Sequence, residues 1–414
     1  MKTSRVVTTL RLWLCVYAGC FFIPPVQAEE IVIGMSAAFT GPSSTLGVEL
    51  YRGAMAYLEH VNRNGGINGR KIRVKAYDDS YTPAPAVENT IALVEQDRVL
   101  LLFGYVGTPT VTRTLPLLKK YSAQHVYLFF PYTGAQPQRE APYDGFVFNL
   151  RSSYRRETQG LVDHFVQIGR KRIAVFYQAD AYGRSGWDGV RRALETHALS
   201  IVGEATYRRG TGNEHSFAEQ VRILQKATPD AIVVIGAYAA AAAFISAVRE
   251  AAWDIPIANV SFVGTERMLH LLRESGKARG KDYTRNLVNS QVVPSYEDTA
   301  LPAVQQYREY MDTYMPQPPP EAVEKGYEPL HYSFTSFEGF LNAKLLGEVL
   351  RRMGDALNPS SLRAVVEGMG DYDLGIGVPV AFGPHQHQGL DMVYYTTVKE
   401  GQPVPLQDWQ VWAK

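Results

Sequence analysis

Short apolar runs alternate with amphipathic segments of helix length along most of the sequence, and this alternation restricts the fold more than any other feature. A first series starts with the apolar run at residues 31–35 and the amphipathic segment at 47–64, and it ends near residue 130. A second series begins after residue 149 and ends with a predicted strand at 260–264. Strands that are separated by helical crossovers form parallel sheets, which helices cover on both faces. The two series therefore predict an α/β protein with two doubly wound parallel-sheet lobes.

The C-terminal third of the sequence follows a different pattern. A further strand is predicted at 287–293, followed by helices near 300–315 and 329–353, with the proline-rich loop 316–320 between them. Residues 378–412 alternate apolar and polar side chains, a pattern that is typical of half-buried strands. We therefore expect the chain to end in an antiparallel ribbon.

The N-terminus has the layout of a secretory signal peptide. Lys2, Arg5 and Arg11 precede a short apolar run at 12–23, and a small-x-small cleavage site ends at Ala28. The apolar run is too short to span a bilayer as a helix. We therefore expect residues 1–28 to be removed and the protein to be exported to the periplasm.

A second interpretation of this leader is a lipoprotein signal. Cys20 follows Ala18-Gly19, which suits such a signal, although Tyr17 stands where an aliphatic residue is usual. Both cysteines of the chain, Cys15 and Cys20, lie in the leader, so cleavage after Ala28 would leave no cysteine. That outcome excludes a disulfide framework, a zinc–thiolate site and a cysteine nucleophile.

The length and net charge of the mature chain bear on the number of lobes and on the kind of partner. Removing 28 of the 414 residues leaves 386, more than one hydrophobic core normally supports, so two lobes are expected. The chain carries 42 Lys+Arg and 41 Asp+Glu, and three of the basic residues lie in the leader, which leaves a small negative balance. This balance gives no reason to expect a nucleic-acid partner or an anionic membrane surface.

Several short motifs occur in an order that resembles the leucine/isoleucine/valine-binding proteins of bacterial ABC importers. The motifs are Ile31-Val32-Ile33-Gly34, Thr40-Gly41-Pro42, Gly47, Arg52-Gly53, Asn64-Gly65-Gly66-Ile67-Asn68-Gly69, Asp78-Asp79, Phe103-Gly104-Tyr105-Val106 and Asp180-Ala181-Tyr182-Gly183. Each motif alone has little specificity, but the ordered set is specific. It covers most of the mature chain and is strongest over residues 31–190.

The resemblance implies a type I periplasmic binding protein fold, in which three hinge strands join the two lobes and the ligand lies in the cleft between them. By that analogy the chain crosses between lobes near residues 149–152, 290–294 and 375–379. The implied first lobe consists of residues 29–150 and 293–376. The implied second lobe consists of residues 151–292 and 377–414.

The loop before the helix at 109–121 is a candidate anion site. Thr108 suits the N-cap position and Pro109 the first helical position, and the free backbone N–H groups there, including that of Thr110, favour a negative charge. The resemblance implies that this loop holds the α-carboxylate of the ligand, with a hydroxyl group at Thr108. The alternative is that Thr108 only caps the helix.

A second loop, Tyr132-Thr133-Gly134, also follows a predicted strand. The resemblance implies that this loop also contacts the carboxylate, with a hydroxyl group from Thr133 and a close backbone approach at Gly134. Here too the alternative is that Thr133 only caps a helix.

The remaining candidate residues are also implied by the resemblance. Tyr182 and Tyr238 match aromatic positions of the cleft, and Glu266 matches the acid that pairs with the ligand's ammonium group. Leu46 stands where some members have a tyrosine at the pocket rim, so a reshaped side-chain pocket is expected. Arg151, at the first hinge, is either a ligand contact or a structural hinge residue.

Together these observations predict a periplasmic solute-binding protein of a branched-chain-amino-acid-type ABC importer. It would be a monomer that binds an amino acid or a related small carboxylate and presents it to a membrane permease. The alternative is a periplasmic ligand sensor that feeds a signalling or chemotaxis receptor. We expect no enzymatic activity, no metal and no cofactor, because the sequence shows no defensible set of catalytic or metal-binding residues.

Overall fold

The computed structural model describes residues 30–319 and 326–414. The predicted signal peptide, with both of its processing sites, lies outside these residues. The strands in the described part of the chain are β1 Ile31–Ala37, β2 Ile72–Asp78, β3 Leu102–Phe103, β4 Leu128–Phe129, β5 Val147–Phe148, β6 Ile173–Gln178, β7 Gly203–Tyr207, β8 Ala231–Ile235, β9 Ile257–Asn259, β10 Leu287–Gln291, β11 Tyr372–Asp373, β12 Pro379–Val380, β13 Tyr394–Lys399 and β14 Gln402–Pro405. The α-helices are α1 Ser44–Arg63, α2 Pro83–Ile91, α3 Thr108–Lys120, α4 Tyr154–Gln167, α5 Ala181–Thr196, α6 Ala218–Lys226, α7 Tyr238–Glu250, α8 Thr265–Lys277, α9 Pro302–Tyr314, α10 Phe334–Arg352 and α11 Leu362–Glu367.

The first sheet has the order β2-β1-β3-β4-β5, and all of its strands are parallel. Helices α1, α9, α10 and α11 contribute to one apolar cluster with this sheet, while α3 and the π-helical turn Ala92–Gln96 after α2 contribute to a separate cluster with β3 and β4. The buried apolar runs of β1, β3 and β4 are those expected for strands covered on both faces.

The second sheet has the order β14-β13-β10-β9-β8-β6-β7. Strands β6 to β10 pair in parallel, whereas β13 pairs antiparallel with both β10 and β14. The two sheets confirm the prediction of two parallel-sheet lobes, and the antiparallel addition agrees with the alternating pattern of the C-terminal tail.

Two glycines allow a close crossing of α1 and α10 in the first lobe. A Cβ atom on Gly53 would lie 1.7 Å from the carbonyl oxygen of Ser336, and one on Gly339 would lie 2.1 Å from the carbonyl oxygen of Leu50. No side chain fits at such distances, so the two helix backbones touch directly at this crossing.

The predicted strand at 260–264 is wrong. The strand β9 ends at Asn259, and residues Ser261–Val263 form a short 3-10 turn. The carboxylate of Glu157 on α4 accepts hydrogen bonds from the backbone N–H (2.8 Å) and the hydroxyl (3.0 Å) of Ser261. Glu157 thus provides hydrogen-bond partners for the backbone N–H and the hydroxyl of Ser261. Because Ser261 does not need a neighbouring strand for these bonds, the strand ends earlier than its apolar pattern predicts.

The third crossing between the lobes occurs later than the expected 375–379. Phe382 and Leu390 still belong to the core of the first lobe, and the Leu390 backbone N–H donates to the Leu150 carbonyl at 3.0 Å. The chain joins the second sheet only at Tyr394. The third crossing therefore runs beside the first, a pairing that no local sequence pattern signals.

From these contacts we propose new limits for the two lobes. The first lobe would comprise residues 30–150 and 293–390, and the second would comprise residues 151–292 and 391–414. In the described part of the chain, no helix is both long enough and apolar enough to cross a membrane.

Candidate functional site

An aromatic cluster fills the space where the two lobes meet. Phe262 of the second lobe lies at ring-centroid distances of 4.6 Å from Tyr182, 5.4 Å from Tyr132 and 5.9 Å from Tyr81. All four side chains are buried. Since Tyr81 and Tyr132 come from the first lobe, this cluster forms part of the interface between the lobes.

Thr108 and Thr133 face each other at one end of this interface. Their hydroxyl oxygens are 2.7 Å apart, and both residues are buried. The two side chains come from the predicted carboxylate loops, which the structure therefore brings together. The carboxyl ends of neighbouring parallel strands explain the meeting, because β3 and β4 are adjacent in the first sheet.

The cap of α3 differs from the sequence prediction. Gly107, with a φ of 105°, precedes the helix, Thr108 is the first helical residue, and Pro109 is therefore the second. The Thr108 side chain makes no capping hydrogen bond, which leaves its hydroxyl free for Thr133. Thr110 donates back to the carbonyl oxygens of Val106 and Gly107, at 2.6 Å and 2.9 Å, so its hydroxyl is already used within the loop.

Gly134 packs closely against Tyr154, while the backbone approach to a ligand that was expected of it stays a prediction. A Cβ atom there would lie 2.7 Å from the Tyr154 backbone nitrogen, which donates to the Gly134 carbonyl at 2.7 Å. Arg139 fixes the same loop from the other side, since its guanidinium donates to the carbonyl oxygens of Thr133 and Ala135 at 3.2 Å and 2.7 Å.

Arg151 lies at the first hinge with its side chain 1% exposed. Its guanidinium lies 4.3 Å from the centre of the Tyr132 ring, donates through Nη2 to the Ser261 hydroxyl, and places Nε 3.5 Å from a carboxylate oxygen of Glu338. Burial is the largest effect and opposes the charge of Arg151, but Glu338 and the neighbouring Tyr132, Tyr154 and Glu157 together outweigh it, so the pKa of Arg151 is raised. Nε and Nη1 have no hydrogen-bond partner among the described residues.

Tyr238 and Leu46 meet at the other end of the interface. The Tyr238 hydroxyl accepts a 3.3 Å hydrogen bond from the Thr45 backbone N–H of the first lobe. Leu46 and Tyr238 both approach Gly264, where a Cβ atom would lie 2.7 Å from Leu46 Cδ2 and 3.6 Å from Tyr238 Cδ1. The predicted rim residue Leu46 and the predicted aromatic residue Tyr238 therefore lie together at Gly264.

Glu266 lies in the first turn of α8 and connects the lobes. Its Oε1 accepts a 3.0 Å hydrogen bond from the backbone N–H of Phe334, the first residue of α10 in the first lobe. Burial raises the pKa of Glu266 to about 7, against the opposing effect of this hydrogen bond and of Tyr296. Because Glu49 raises this pKa further, the surroundings of Glu266 favour an added positive charge.

Two pockets open between the lobes near these residues. One, of about 500 Å³, is lined by Thr45 and Tyr327 of the first lobe and by Tyr238, Arg267 and His270 of the second, and we call it the rim pocket. The other, of about 340 Å³, lies between the amino ends of α3 and α5 and reaches Thr108. In the described part of the chain, no group of three or more His, Cys, Asp or Glu residues is placed to hold a metal.

Comparison with known proteins fits this two-lobed arrangement. The family model described as "Periplasmic binding protein" matches residues 30–403. The chain belongs to this family. As a periplasmic binding protein, it is related to solute-binding proteins, and its likeness to Leu/Ile/Val-binding proteins is confirmed by relatives of that name.

Three relatives illustrate the match. The "Amino acid binding protein" of Pseudomonas aeruginosa is 27% identical over 224 residues, which are 53% of this chain and 58% of that protein. The Leu/Ile/Val-binding protein of Escherichia coli K12 is 25% identical over 228 residues, 53% of this chain and 59% of that protein. The matches to these curated relatives therefore span a little over half of their lengths.

The third relative is a solved structure. The crystal structure of a possible leucine/isoleucine/valine-binding protein from Rhodopirellula baltica SH 1 superposes with a TM-score of 0.82 at 28% identity. The match covers 94% of this chain and 99% of that one. It supports the periplasmic binding protein fold over nearly the whole chain.

The sequence analysis missed several residues of the cleft. Tyr81 adopts a left-handed conformation with a φ of 58°, and the carboxylate of buried Asp79 holds it there by accepting from the Tyr81 backbone N–H at 2.9 Å. Phe262 was assigned to a strand, and Tyr154 was not among the candidate residues. The available sequence signal was a tyrosine two residues after the Asp78-Asp79 motif. In the structure its positive φ marks the same position, since such residues cluster at functional sites.

Proposed function

We propose that this periplasmic binding protein is the solute-binding component of a branched-chain-amino-acid-type ABC importer. Its ligand would be an amino acid or a related small carboxylate, held without covalent bonds between the lobes. The observation that carries this proposal is the buried Thr108–Thr133 hydroxyl pair at the amino end of α3. Hydroxyl groups and free backbone N–H groups at a helix N-terminus are suited to a carboxylate.

Arg151 and Tyr154 support a negatively charged ligand group beside this pair. The Tyr154 hydroxyl and two guanidinium nitrogens of Arg151 are buried without a hydrogen-bond partner in the described residues. Buried polar groups in proteins are normally hydrogen-bonded. A ligand carboxylate between the lobes would accept from these donors, and the positive charge of Arg151 would stabilise it.

Glu266 supports a positively charged group on the same ligand. It forms no ion pair with a described residue, and burial already raises its pKa to about 7. An ammonium group beside Glu266 would favour its ionised form, because a zwitterion that leaves water needs a partner for each charge. Phe334 and Tyr296 each hydrogen-bond to this carboxylate, which has further lone pairs that would serve the ammonium.

The proposed role implies partners and a location. After export, the protein would act in the periplasm as a monomer, close on its ligand by a hinge motion and present the closed form to a membrane permease. A signalling role on the same fold, in which the closed form contacts a receptor instead, is the alternative that the sequence already raised.

A thermal-shift screen followed by calorimetry tests the ligand class. L-amino acids, the corresponding acids without the amino group and the corresponding amines without the carboxylate would be compared as three sets. We expect L-amino acids to raise the melting temperature most and the amines not to raise it, because only the amines lack the carboxylate. No shift with any carboxylate would contradict the proposal.

Gene deletion then separates the importer from the sensor. With the ligand identified, loss of its uptake in a deletion strain would support import. Unchanged uptake, together with a lost behavioural or transcriptional response to the ligand, would favour the sensor.

A further inference from the structure

The rim pocket lies next to the proposed ligand site but is not part of it. It is bounded by both lobes, and its volume of about 500 Å³ is within the range of small-molecule sites. Tyr238 belongs to both places, because its ring approaches Gly264 beside Leu46 and also lines the pocket. Glu266 directly precedes Arg267, so the predicted ammonium partner and the pocket wall are consecutive residues of α8.

Two basic residues, Arg267 and His270, line the rim pocket. They are three residues apart on α8 and therefore lie on one face of the helix. Both are partly buried, and neither has an ion pair or a hydrogen bond with another described residue. The unpaired guanidinium of Arg267 is thus a ready partner for an anionic group that enters the pocket.

Two acidic residues also line the rim pocket. Glu214 and Glu328 are exposed, whereas Arg267 is partly buried. Water and salt screen exposed charges more strongly than partly buried ones. The less screened of these charges in the rim pocket is therefore the positive one.

We propose that the ligand is longer than a branched-chain amino acid and ends in a second carboxylate, which Arg267 binds in the rim pocket. This inference rests on the proposed function, since it places the amino-acid head of the ligand in the cleft. The ligand class is thus an α-amino dicarboxylic acid.

Two probes of nearly equal shape test the proposal. L-2-aminoadipate and L-norleucine share the same head and a three-carbon chain, but the first ends in a carboxylate and the second in a methyl group. We expect calorimetry to show aminoadipate binding at least about ten-fold more tightly, as a charge-assisted contact would produce. Norleucine binding as tightly or more tightly would overturn the inference while leaving the proposed function in place.

Variants of α8 identify the residue responsible. Arg267→Gln should weaken aminoadipate by about ten-fold and leave norleucine unchanged. Arg273→Gln is the matched control, because Arg273 is exposed on the same helix and lines a different pocket. Equal weakening of both probes in Arg267→Gln would show a merely structural role and overturn the inference. If neither probe nor any other amino acid binds the unaltered protein, the proposed function itself is contradicted.

Discussion

Thr108, which we propose as a ligand contact, does not use its hydroxyl group to cap its own helix. Because Gly107 rather than Thr108 precedes α3, the Thr108 side chain does not cap the helix and instead meets Thr133 at 2.7 Å. A carboxylate that enters between the lobes would find the remaining hydroxyl proton of this pair and the backbone N–H groups of the first helical turn. The sequence-based prediction of a role for Thr108 thus gains a geometric reason.

Thr108→Val should weaken ligand binding by roughly 1.5–3 kcal/mol, because valine keeps the shape but cannot donate to a carboxylate. Calorimetry with the ligand found in the screen measures this change. Thr114→Val is the control, since Thr114 is buried on the same helix and its hydroxyl bonds only to the Val111 carbonyl. Equal affinities of the Thr108 variant and the unaltered protein would rule out the assigned role.

Glu266→Gln distinguishes an amino acid from a simple carboxylic acid. With an amino acid we expect a loss on the order of 2–5 kcal/mol, because the ammonium would lose its buried counter-charge. Fold stability should change little, since the glutamine amide oxygen can still accept from Phe334. Calorimetry on the amino acid and on its analogue without the amino group provides the comparison. A variant that binds both as well as the unaltered protein would show that Glu266 serves only to join the lobes.

At the scale of elements, the crossing of α1 and α10 determines how the first lobe packs. Gly53 and Gly339 let the two helix backbones touch, and α10 then presents Phe334 and Glu338 toward the second lobe. Helix α10 is far from α1 in the sequence. Its packing on α1 therefore brings a distant part of the chain to the cleft.

Gly53→Ala should therefore destabilise the protein by at least 1–3 kcal/mol, roughly the cost of overpacking a close contact. The added Cβ atom would lie 1.7 Å from the Ser336 carbonyl oxygen, so one helix must move. Chemical denaturation of Gly53→Ala and of Gly383→Ala measures the difference. Gly383 is the control, because its Cβ position is open and its φ is not positive. Similar midpoints for both variants would show that the crossing is less tight than described.

In the molecule as a whole, the two lobes are in direct contact and the cleft between them is closed. The contacts include the Glu266–Phe334 hydrogen bond, the Thr45–Tyr238 hydrogen bond and the aromatic contacts of Phe262. Since all the predicted carboxylate-binding residues are buried in this arrangement, a ligand can enter only if the lobes separate.

Ligand should therefore reduce the radius of gyration of the protein, because closure brings the lobes together. Small-angle X-ray scattering of saturated protein and of protein freed of ligand by unfolding and refolding measures this change. Retained ligand is controlled by mass spectrometry of the denatured sample. Identical scattering curves from demonstrably free and saturated protein would exclude hinge closure.

Buried carboxyl groups should also make stability depend on pH. Burial raises the pKa of Glu338 to about 7, well above that of an unfolded glutamate, so the folded protein binds more protons between about pH 5 and 7. Its stabilising contribution is therefore present at low pH and is lost as pH rises through 7. At about 1.4 kcal/mol per pKa unit, the loss approaches roughly 3 kcal/mol.

Glu338→Gln should accordingly show a flatter dependence of melting temperature on pH between 5 and 8 than the unaltered protein. The exposed Glu309→Gln variant is the control and should keep the original slope. If all three proteins show the same slope, Glu338 does not titrate in this window.

Local sequence patterns predicted the order of strands and helices well, but they failed where distant residues intervene. The strand expected at 260–264 is replaced by a turn because Glu157 binds Ser261 from another helix. The third crossing was placed too early because residues 387–390 pair with the first hinge. Hydrophobic periodicity shows which face of a segment is buried, but not which distant residue it contacts. It therefore could not reveal either of these two long-range contacts.

The sequence by itself determined the two α/β lobes and the two threonine loops, because strand–helix alternation and turn chemistry act over a few residues. It also named Glu266, Tyr238 and Leu46 through the order of motifs. Only the tertiary structure decided that Thr108 bonds to Thr133 and that Glu266 reaches the start of α10. It alone decided that Phe262 closes the cleft, since these contacts join residues that are far apart in the chain and depend on how the two lobes pack together.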